Sequence, residues 1–192
     1  MISVMRKFMI SAAIFFAAVF SEARDYGSGQ IYFYGADFSE VRVFCATEDD
    51  DSFTKAFVGI NTLFLTEKDK YDLSHLFDKD VNVDINMMVD RISKNTKPLV
   101  RVYTMEMSSK PSAEFVASYE LLQTEGVGVV LIARVLNKVD AVGVYDFVVF
   151  DISSREVIYE IRAEGRAMGF GLRNYWARTV YEIVSDEKLL SR

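Results

Sequence analysis

The sequence predicts an α+β fold in which helices pack on a mixed, mostly antiparallel sheet that ends in a three-stranded meander. Three β-prone segments in the C-terminal half are joined only by short polar connections, which is typical of antiparallel neighbours. Segments with helical spacing stand before and after this meander, as in layered α+β proteins. With only 2 prolines and no linker rich in proline, glycine or serine, the chain offers no boundary between domains.

The N-terminus has the layout of a secretory signal peptide. Arg6 and Lys7 precede an uncharged apolar run at residues 8–20, and the small residues Ser21 and Ala23 stand where a peptidase cutting after Ala23 requires them. As a helix the run would be about 20 Å long, which is shorter than the roughly 30 Å apolar core of a bilayer. An uncleaved membrane anchor is the alternative.

We therefore expect a signal peptide over residues 1–23 and a single α+β domain over residues 24–192. No later segment has 18 consecutive apolar residues without charges, so no transmembrane span is expected in the mature chain. The expected location is the periplasm or the medium after cleavage near Ala23.

The first half of the chain is predicted to alternate strands and helices. Residues 31–38 are apolar or aromatic on both faces, as in a covered strand, and residues 41–45 continue that strand or form a second one. A helix follows, begun by Asp50, Asp51 or Ser52, and its buried stripe has helical spacing: Phe53, Phe57, Ile60 and Phe64.

The elements that come next are shorter. Valines alternate with polar residues at 81–85, which predicts a strand with one solvated face, and helical spacing then continues to Ile92 until Pro98 ends the helix. Residues 99–103 form another β-prone run. Ser112 can begin a helix with these apolar positions: Phe115, Val116, Tyr119 and Leu122.

The C-terminal half carries the predicted meander. Residues 129–136 are apolar on both faces apart from Arg134, and residues 142–150 are similar with Asp146 inside them. Residues 157–162 alternate between apolar and polar side chains, so this strand is half solvated. The last predicted helix has one apolar stripe: Leu172, Trp176, Val180 and Ile183.

The segment from Gly126 to Gly165 resembles the core of bacterial envelope domains of the TolB N-terminal, CsgG and LpoB type. In those domains an apolar strand leads into a hairpin whose second strand follows a turn, here residues 151–157, and a helix often comes next. The resemblance covers about a quarter of the chain. It implies a non-catalytic periplasmic accessory or assembly module whose partner is an envelope protein, although this chain lacks the lipid-attachment cysteine or partner domain usual in those proteins.

The charge balance argues against nucleic acid as a partner. The chain carries 22 Lys and Arg against 28 Asp and Glu, a formal net charge of −6. Binding to a phosphate backbone needs clustered Lys and Arg, and no two basic residues are adjacent after residue 23.

The residue types that most enzymes use as nucleophile and base are scarce. Cys45 is the only cysteine, and between Phe44 and Ala46 it is expected to be a small buried hydrophobe rather than a reactive thiol or an intermolecular bridge. His75 is the only histidine and stands among apolar neighbours, so we interpret it as structural; a Cys45–His75 pair is the one thiol alternative. We expect no catalytic residue, no cofactor and no metal ligand set.

An alternation of oxygen-bearing residues over Asp78–Asp84 leaves a calcium loop open as an alternative. An EF-hand needs a glycine at the sixth position and a glutamate at the twelfth, which here are Val83 and Val89. A strand with one solvated face explains the same pattern. The acidic run at residues 48–51 is expected to be a solvated loop that complements the positive end of the helix after it.

Residues 169–174 hold the strongest candidate binding site. A Gly-Phe-Gly sequence follows a strand and opens a helix, but the third glycine of a dinucleotide-binding turn is missing and only about twenty residues remain for a βαβ unit. Arg173 lies in the first turn, where a positive charge opposes the helix dipole. We expect it to pair with an internal carboxylate; the alternative is an anion site formed by Arg166, Arg173 and Asn174.

Three classes of function follow from these observations. The first is a non-catalytic exported interaction or envelope-assembly module. The second is an exported protein that binds a small ligand or an anion in a cleft between sheet and helices. The third is a hydrolase that uses two carboxylates, which requires a close acidic pair in a cleft.

Overall fold

The computed structural model describes residues 29–104 and 107–191 of the chain. The expected signal peptide lies outside these residues, so its cleavage and the division into residues 1–23 and 24–192 stay predictions. Among the described residues no helix is both long enough and apolar enough to cross a membrane.

Strands and helices alternate through the first part of the described chain. The strands are β1 (Ile31–Asp37), β2 (Arg42–Phe44), β3 (Val81–Val83), β4 (Val100–Val102), β5 (Val127–Asn137), β6 (Val142–Asp151) and β7 (Val157–Arg166). The helices are α1 (Asp50–Thr66), α2 (Ser74–Phe77), α3 (Asn86–Ser93), α4 (Ser112–Ala117) and α5 (Leu172–Val184), and a 3₁₀ turn follows at Leu189–Ser191. Asp49, one residue before the predicted caps, caps α1 by accepting a hydrogen bond from the Ser52 amide at 2.6 Å.

The seven strands form one sheet around β5. One edge of β5 pairs along its length with β6, and β6 pairs with β7, both antiparallel. The other edge of β5 is shared by β1 along its first half and β2 along its second half, both parallel. The outer neighbours β3 and β4 continue the sheet from β1 and β2, again in parallel.

The predicted α+β class with a mostly antiparallel sheet is therefore wrong, and the fold is α/β. The five strands β3, β1, β5, β2 and β4 all run in the same direction. The reason lies in the connections. From β2 onward a helix between two strands carries the chain back, so that the next strand starts at the same end of the sheet. No helix separates β1 from β2, which follow one another along the same edge of β5. Antiparallel pairing is confined to β5, β6 and β7, which are joined by short turns.

Helices cover both faces of the central strand, and all 11 residues of β5 are buried. On one face Phe64 of α1 meets Phe33 edge to face at 4.7 Å, and the Tyr145 hydroxyl is 2.7 Å from the Thr179 hydroxyl of α5. On the other face α4 places Phe115 against the sheet, and Tyr119, just after α4, packs on Phe150 at 6.4 Å.

One buried amide replaces a missing strand beside β1. The pairing with β3 stops at Phe33, and the pairing with β5 is irregular between Phe33 and Ala36. Asn61 of α1 accepts a hydrogen bond from the Ala36 amide at 2.8 Å and donates to the Ala36 carbonyl at 3.0 Å. Its side chain is fully buried, so both backbone groups of Ala36 are satisfied away from water.

Helix α5 packs on β7 at a glycine. A β-carbon at Gly165 would overlap the backbone oxygen of Thr179, so a hydrogen atom at this position sets the distance between helix and strand. The edge of β7 is blunted by the same helix, since the Arg166 amide donates to the Glu182 carboxylate at 2.8 Å.

Replacing Gly165 by alanine is expected to lower the free energy of unfolding by about 2 kcal/mol, because α5 must move away from the sheet. Gly59→Ala is the matched control: its β-carbon would meet Cδ of Arg173 at 2.7 Å, the side chain is exposed and flexible, and a helical alanine is favoured over glycine. Urea unfolding checks both. Equal losses of stability in the two variants would contradict this account of the packing.

Candidate functional site

Charged side chains cross the α4 face of the sheet in one row. Asp37 of β1 is in register with Ile132 of β5, Ile132 with Asp146 of β6, and Asp146 with Arg162 of β7. Paired residues project to the same face, so Asp37, Asp146 and Arg162 form what we call the charged row. Asp37 and Asp146 are both buried, and Arg162 is half exposed. Charges buried in this way need partners within the protein.

Arg134 of β5 supplies the main partner. The pairing of β5 with β6 is irregular between Ala133 and Val135, so Arg134 sits at a β-bulge that turns its side chain toward Asp146. Its Nε donates to Asp146 Oδ2 at 2.6 Å, its Nη2 to the Ser112 hydroxyl at 2.7 Å and its Nη1 to the Lys110 carbonyl at 2.5 Å. The guanidinium therefore joins β5 to β6 and to the start of α4.

The other side of Asp146 faces β7. Arg162 donates from Nε to Asp146 Oδ1 at 2.8 Å and from Nη2 to Asp146 Oδ2 at 3.2 Å. Burial would raise the pKa of the Asp146 carboxyl, but the Arg162 hydrogen bonds and the Arg134 charge together hold that pKa below its usual value. Asp146 is accordingly an ionised acceptor, not a proton donor, at neutral pH.

Asp37 is held by a second set of donors. It accepts from the Tyr119 hydroxyl at 3.0 Å and from the Ser39 amide at 2.8 Å, and Arg91 Nε of α3 lies 3.3 Å from its Oδ2. Burial raises the pKa of Tyr119 well above its usual value, and the Asp37 charge raises it further. Tyr119 thus stays protonated and donates, while the Arg91 guanidinium stacks over its ring at 5.4 Å.

Two cavities open beside these groups. One, of about 540 Å³, lies over Arg134 and Arg162 and is bordered by residues 107–113. The other, of about 630 Å³, lies between α1, α3 and the segment after α4, and Arg91 forms part of its wall. We call the second cavity the α1–α3 groove.

The α1–α3 groove has an apolar floor and a rim of mixed charge. Its apolar side chains come from α1, from α3 with the residue before it, and from the segment after α4: Leu65, Ile85, Met87, Val89 and Leu122. Leu122 is 81 % exposed and, with the 41 % exposed Leu65, contributes apolar surface to the groove. Asp90, Lys94 and Glu120 stand around it, so the groove can take an apolar group and hold a polar neighbour at its edge.

The charged row is poorly suited to catalysis or metal binding. Each of Asp37, Asp146 and Arg134 is already engaged by protein donors or acceptors, so none is an unengaged base or nucleophile. Asp37 and Asp146 are two strands apart, which corresponds to roughly 10 Å. Among residues 29–104 and 107–191, no three or more His, Cys, Asp or Glu side chains come together as a metal site.

The candidate residues from the sequence lie elsewhere, at the junction of β7 and α5. Arg166 ends β7 with an exposed side chain, and Arg173 and Asn174 are exposed in the first turn of α5. Arg173 Nε donates to Asn174 Oδ1 at 3.0 Å. The predicted carboxylate partner of Arg173 is wrong for the described part of the chain, where no acidic oxygen lies within 4.0 Å of its guanidinium; its stem instead lies over Gly59 of α1, with the charge in solvent.

Three further expectations can be compared with the structure. Cys45 is exposed with φ 56°, so the expectation of a buried cysteine is wrong: it ends β2 in a left-handed turn. His75 is exposed on α2. Within Asp78–Asp84, Val81–Val83 form β3 and pair with β1, as the strand interpretation has it.

Sequence reasoning recognised Arg134 and Asp146 as charges inside apolar strands but did not pair them. The available signal was the short polar turn between the two strands, because folding the hairpin about residues 138–141 brings positions 134 and 146 close together. Asp37 and Arg91 had no comparable signal, since they belong to different elements joined through α1 and β3.

Replacing Asp146 by asparagine is expected to lower the free energy of unfolding by about 3 kcal/mol, because Arg134 is left buried without a counter-charge. Arg162→Gln is the control and should cost less than about 1 kcal/mol, since Arg162 is half exposed. The double variant Arg134→Met/Asp146→Leu should be more stable than Asp146→Asn. Urea unfolding measures all three; a larger loss in Arg162→Gln than in Asp146→Asn would refute the assignment.

The depressed pKa of Asp146 gives a pH dependence of known sign. An ionised carboxylate favoured by folding stabilises the protein above its unfolded pKa, and this contribution is lost as the pH falls through the lower folded pKa. The stability difference between the wild type and Asp146→Asn should therefore be constant near neutrality and shrink below about pH 4. Urea titrations from pH 7 to pH 3 test this; a difference that grows on acidification would have the wrong sign.

Comparison of the chain with protein-family models, curated proteins and solved structures found no match.

Proposed function

We propose that the chain is a non-catalytic exported binding module that holds a segment of an envelope protein in the α1–α3 groove. The proposal includes export to the periplasm or the medium after cleavage near Ala23. The observation that carries it is the groove itself, about 630 Å³ in volume and bordered by the strongly exposed Leu122. Exposed apolar surface with a polar border is typical of protein contact sites.

The contacts that hold the groove wall in place favour a binding function over a catalytic one. Arg91 lines the groove and reaches the buried Asp37, which also accepts from Tyr119. These contacts fix α3 against β1 at the position where a partner would press on it. A rigid wall lowers the entropy cost of binding, because fewer side chains must be ordered when the partner arrives.

The size and shape of the groove fit a side chain or two from a partner. Leu65 and Leu122 stand on opposite elements, α1 and the segment after α4, and Met87 and Val89 lie between them on α3. Methionine adapts its shape readily to different apolar groups. Rim residues of both signs, Asp90 and Lys94, already pair with each other at 2.7 Å, so the apolar floor supplies the main attraction.

A small apolar ligand is the second candidate, and the groove volume favours it. Sites for small molecules commonly enclose about 300–1,000 Å³ with a few convergent polar groups. The carboxylate hydrolase gains no support, because Asp37 and Asp146 are buried, each is paired with an arginine, and Ile132 separates them.

A photo-crosslinking residue placed at Leu122 should capture one discrete envelope protein in the native host, because that side chain would lie inside the interface. Leu122→Asp should then weaken binding of the purified partner about tenfold or more, since burial of one leucine contributes roughly 1.5–3 kcal/mol. Gel analysis with mass spectrometry identifies the adduct, and titration calorimetry gives the affinity.

The control places the same crosslinker at Ile158, which is half exposed on β7 and does not line the groove. Identical adducts at both positions, or an unchanged affinity in Leu122→Asp, would contradict a groove-bound partner. Native mass spectrometry of protein purified from its own host tests the second candidate, a small apolar ligand. A small bound molecule that is present in the wild type and absent from Leu122→Asp would assign the groove to a ligand. Intact mass of the same sample tests cleavage after Ala23.

A further inference from the structure

The five strands that run from β4 to β7 end together at one side of the sheet. Val102 of β4 pairs with Phe44 of β2, Phe44 with Asn137 of β5, Asn137 with Val142 of β6, and Val142 with Arg166 of β7. These residues form one row across roughly 20 Å of sheet. The loops that follow β4, β5 and β7 therefore project from the same end.

Four large apolar side chains stand on these three loops. Tyr103 follows β4 and is 90 % exposed, and Val139 in the β5–β6 turn is 66 % exposed. Met168 and Phe170 follow β7 and are 64 % and 96 % exposed. We call these four residues the apolar tips. Tyr103, Val139 and Phe170 are exposed on three different loops, and Met168, on the same loop as Phe170, also borders a cavity of about 260 Å³ beside α1 and α5.

The backbone holds the outermost tip in place. Gly169 and Gly171 flank Phe170 and have φ values of +125° and +77°, which side-chain-bearing residues rarely adopt. The loop is anchored on both sides, because the Ala167 amide donates to the Ala141 carbonyl at 2.7 Å and the Met168 amide to the Tyr175 carbonyl at 3.2 Å. Phe170 is thus presented to solvent by a defined turn.

Two arginines stand beside Phe170 without acidic partners. The side chains of Arg166 and Arg173 are exposed, and among the described residues neither guanidinium forms an ion pair with a carboxylate; the nearby Glu182 accepts from the Arg166 backbone amide and pairs with Arg178. On the adjoining β5–β6 turn Lys138 pairs with Glu48, whereas Asp140 accepts a hydrogen bond only from the neutral Asn137 amide and so keeps its negative charge. The β7–α5 loop that carries Met168 and Phe170 is therefore locally positive, because residues 166–173 contain two arginines and no acidic residue, although the chain as a whole is acidic.

We propose that the apolar tips dock this domain on a phospholipid bilayer, with Phe170 and Met168 in the interfacial region and Arg166 and Arg173 on lipid phosphates. Apolar side chains on a surface segment enter a bilayer by about 5–10 Å, and nearby Lys or Arg residues add attraction to phosphate. Tyr103 suits the same depth, because an amphipathic aromatic ring favours the boundary between headgroups and acyl chains.

Bilayer is favoured over protein by the arrangement of the tips. A stable protein interface buries about 800 Å² on each partner and fills pockets with its anchoring side chains. Four side chains on three loops offer little contiguous area for a protein partner. A bilayer surface is planar and deformable, so all four can contact it together. A second copy of the chain is the competing occupant.

Phe170→Trp reports insertion directly. On vesicles of equal parts phosphatidylethanolamine and phosphatidylglycerol, the new tryptophan should shift its emission to the blue and be quenched by lipids brominated on the acyl chain. The native Trp176 is fully buried and contributes a constant background. Ile158→Trp, at the opposite end of β7, is the matched control and should show neither change, whether or not the N-terminal run is still attached.

Affinity for the same vesicles should fall about tenfold in Phe170→Ser and about fivefold each in Arg166→Gln and Arg173→Gln. Equal quenching at positions 170 and 158, or none at 170, would overturn the proposal. So would a Phe170-dependent dimer in lipid-free sedimentation, since it would assign the tips to a second copy. Circular dichroism of each variant confirms that the fold is kept.

Discussion

The ion pair between Arg134 and Asp146 is the interaction on which the rest of the sheet depends. Both side chains are buried, so each would be costly without the other. Arg134 occurs where β5 bulges, and β5 contacts β1, β2 and β6. The pair therefore fixes the register of the central strand, and through Ser112 and Lys110 it also sets where α4 begins.

A second buried carboxylate extends this control to the groove. Asp37 ends β1 on the same face of the sheet as Asp146, and it joins Tyr119 after α4 to Arg91 of α3. The buried Asp37 thus holds Arg91, which is part of the groove wall, while apolar side chains line the rest of the groove. The groove and the buried polar groups are thus connected, because Arg91 both lines the groove and contacts the buried Asp37.

Most individual strands and helices could be predicted from the sequence, but the α/β fold class could not. The alternation around Val81 and the helical spacing of Phe53 and Phe57 predicted β3 and α1, because periodicity reflects burial directly. The direction of a strand depends on the path that the chain takes through the preceding helix, and the residue pattern does not show that path. The antiparallel expectation extended the tight turns of the last three strands to β2, β3, β4 and β5, which are separated by helices.

For the site the limits were different. The sequence singled out Arg166, Arg173 and Asn174 for their position after a Gly-Phe-Gly turn, and that junction is indeed an exposed, basic corner. It missed Leu122 as a groove residue, since helical spacing placed it on the buried face of α4. Helix α4 ends at Ala117, and the chain beyond it turns outward. An element boundary decided which residues are available for binding.

The amide of Asn61 has a consequence for the behaviour of partly unfolded molecules. It occupies backbone groups of β1 that a neighbouring strand would otherwise fill. An open edge of this kind is a template for intermolecular pairing. Detachment of α1 alone would uncover that edge beside an apolar strand, so the docking of a single helix also guards the protein against aggregation.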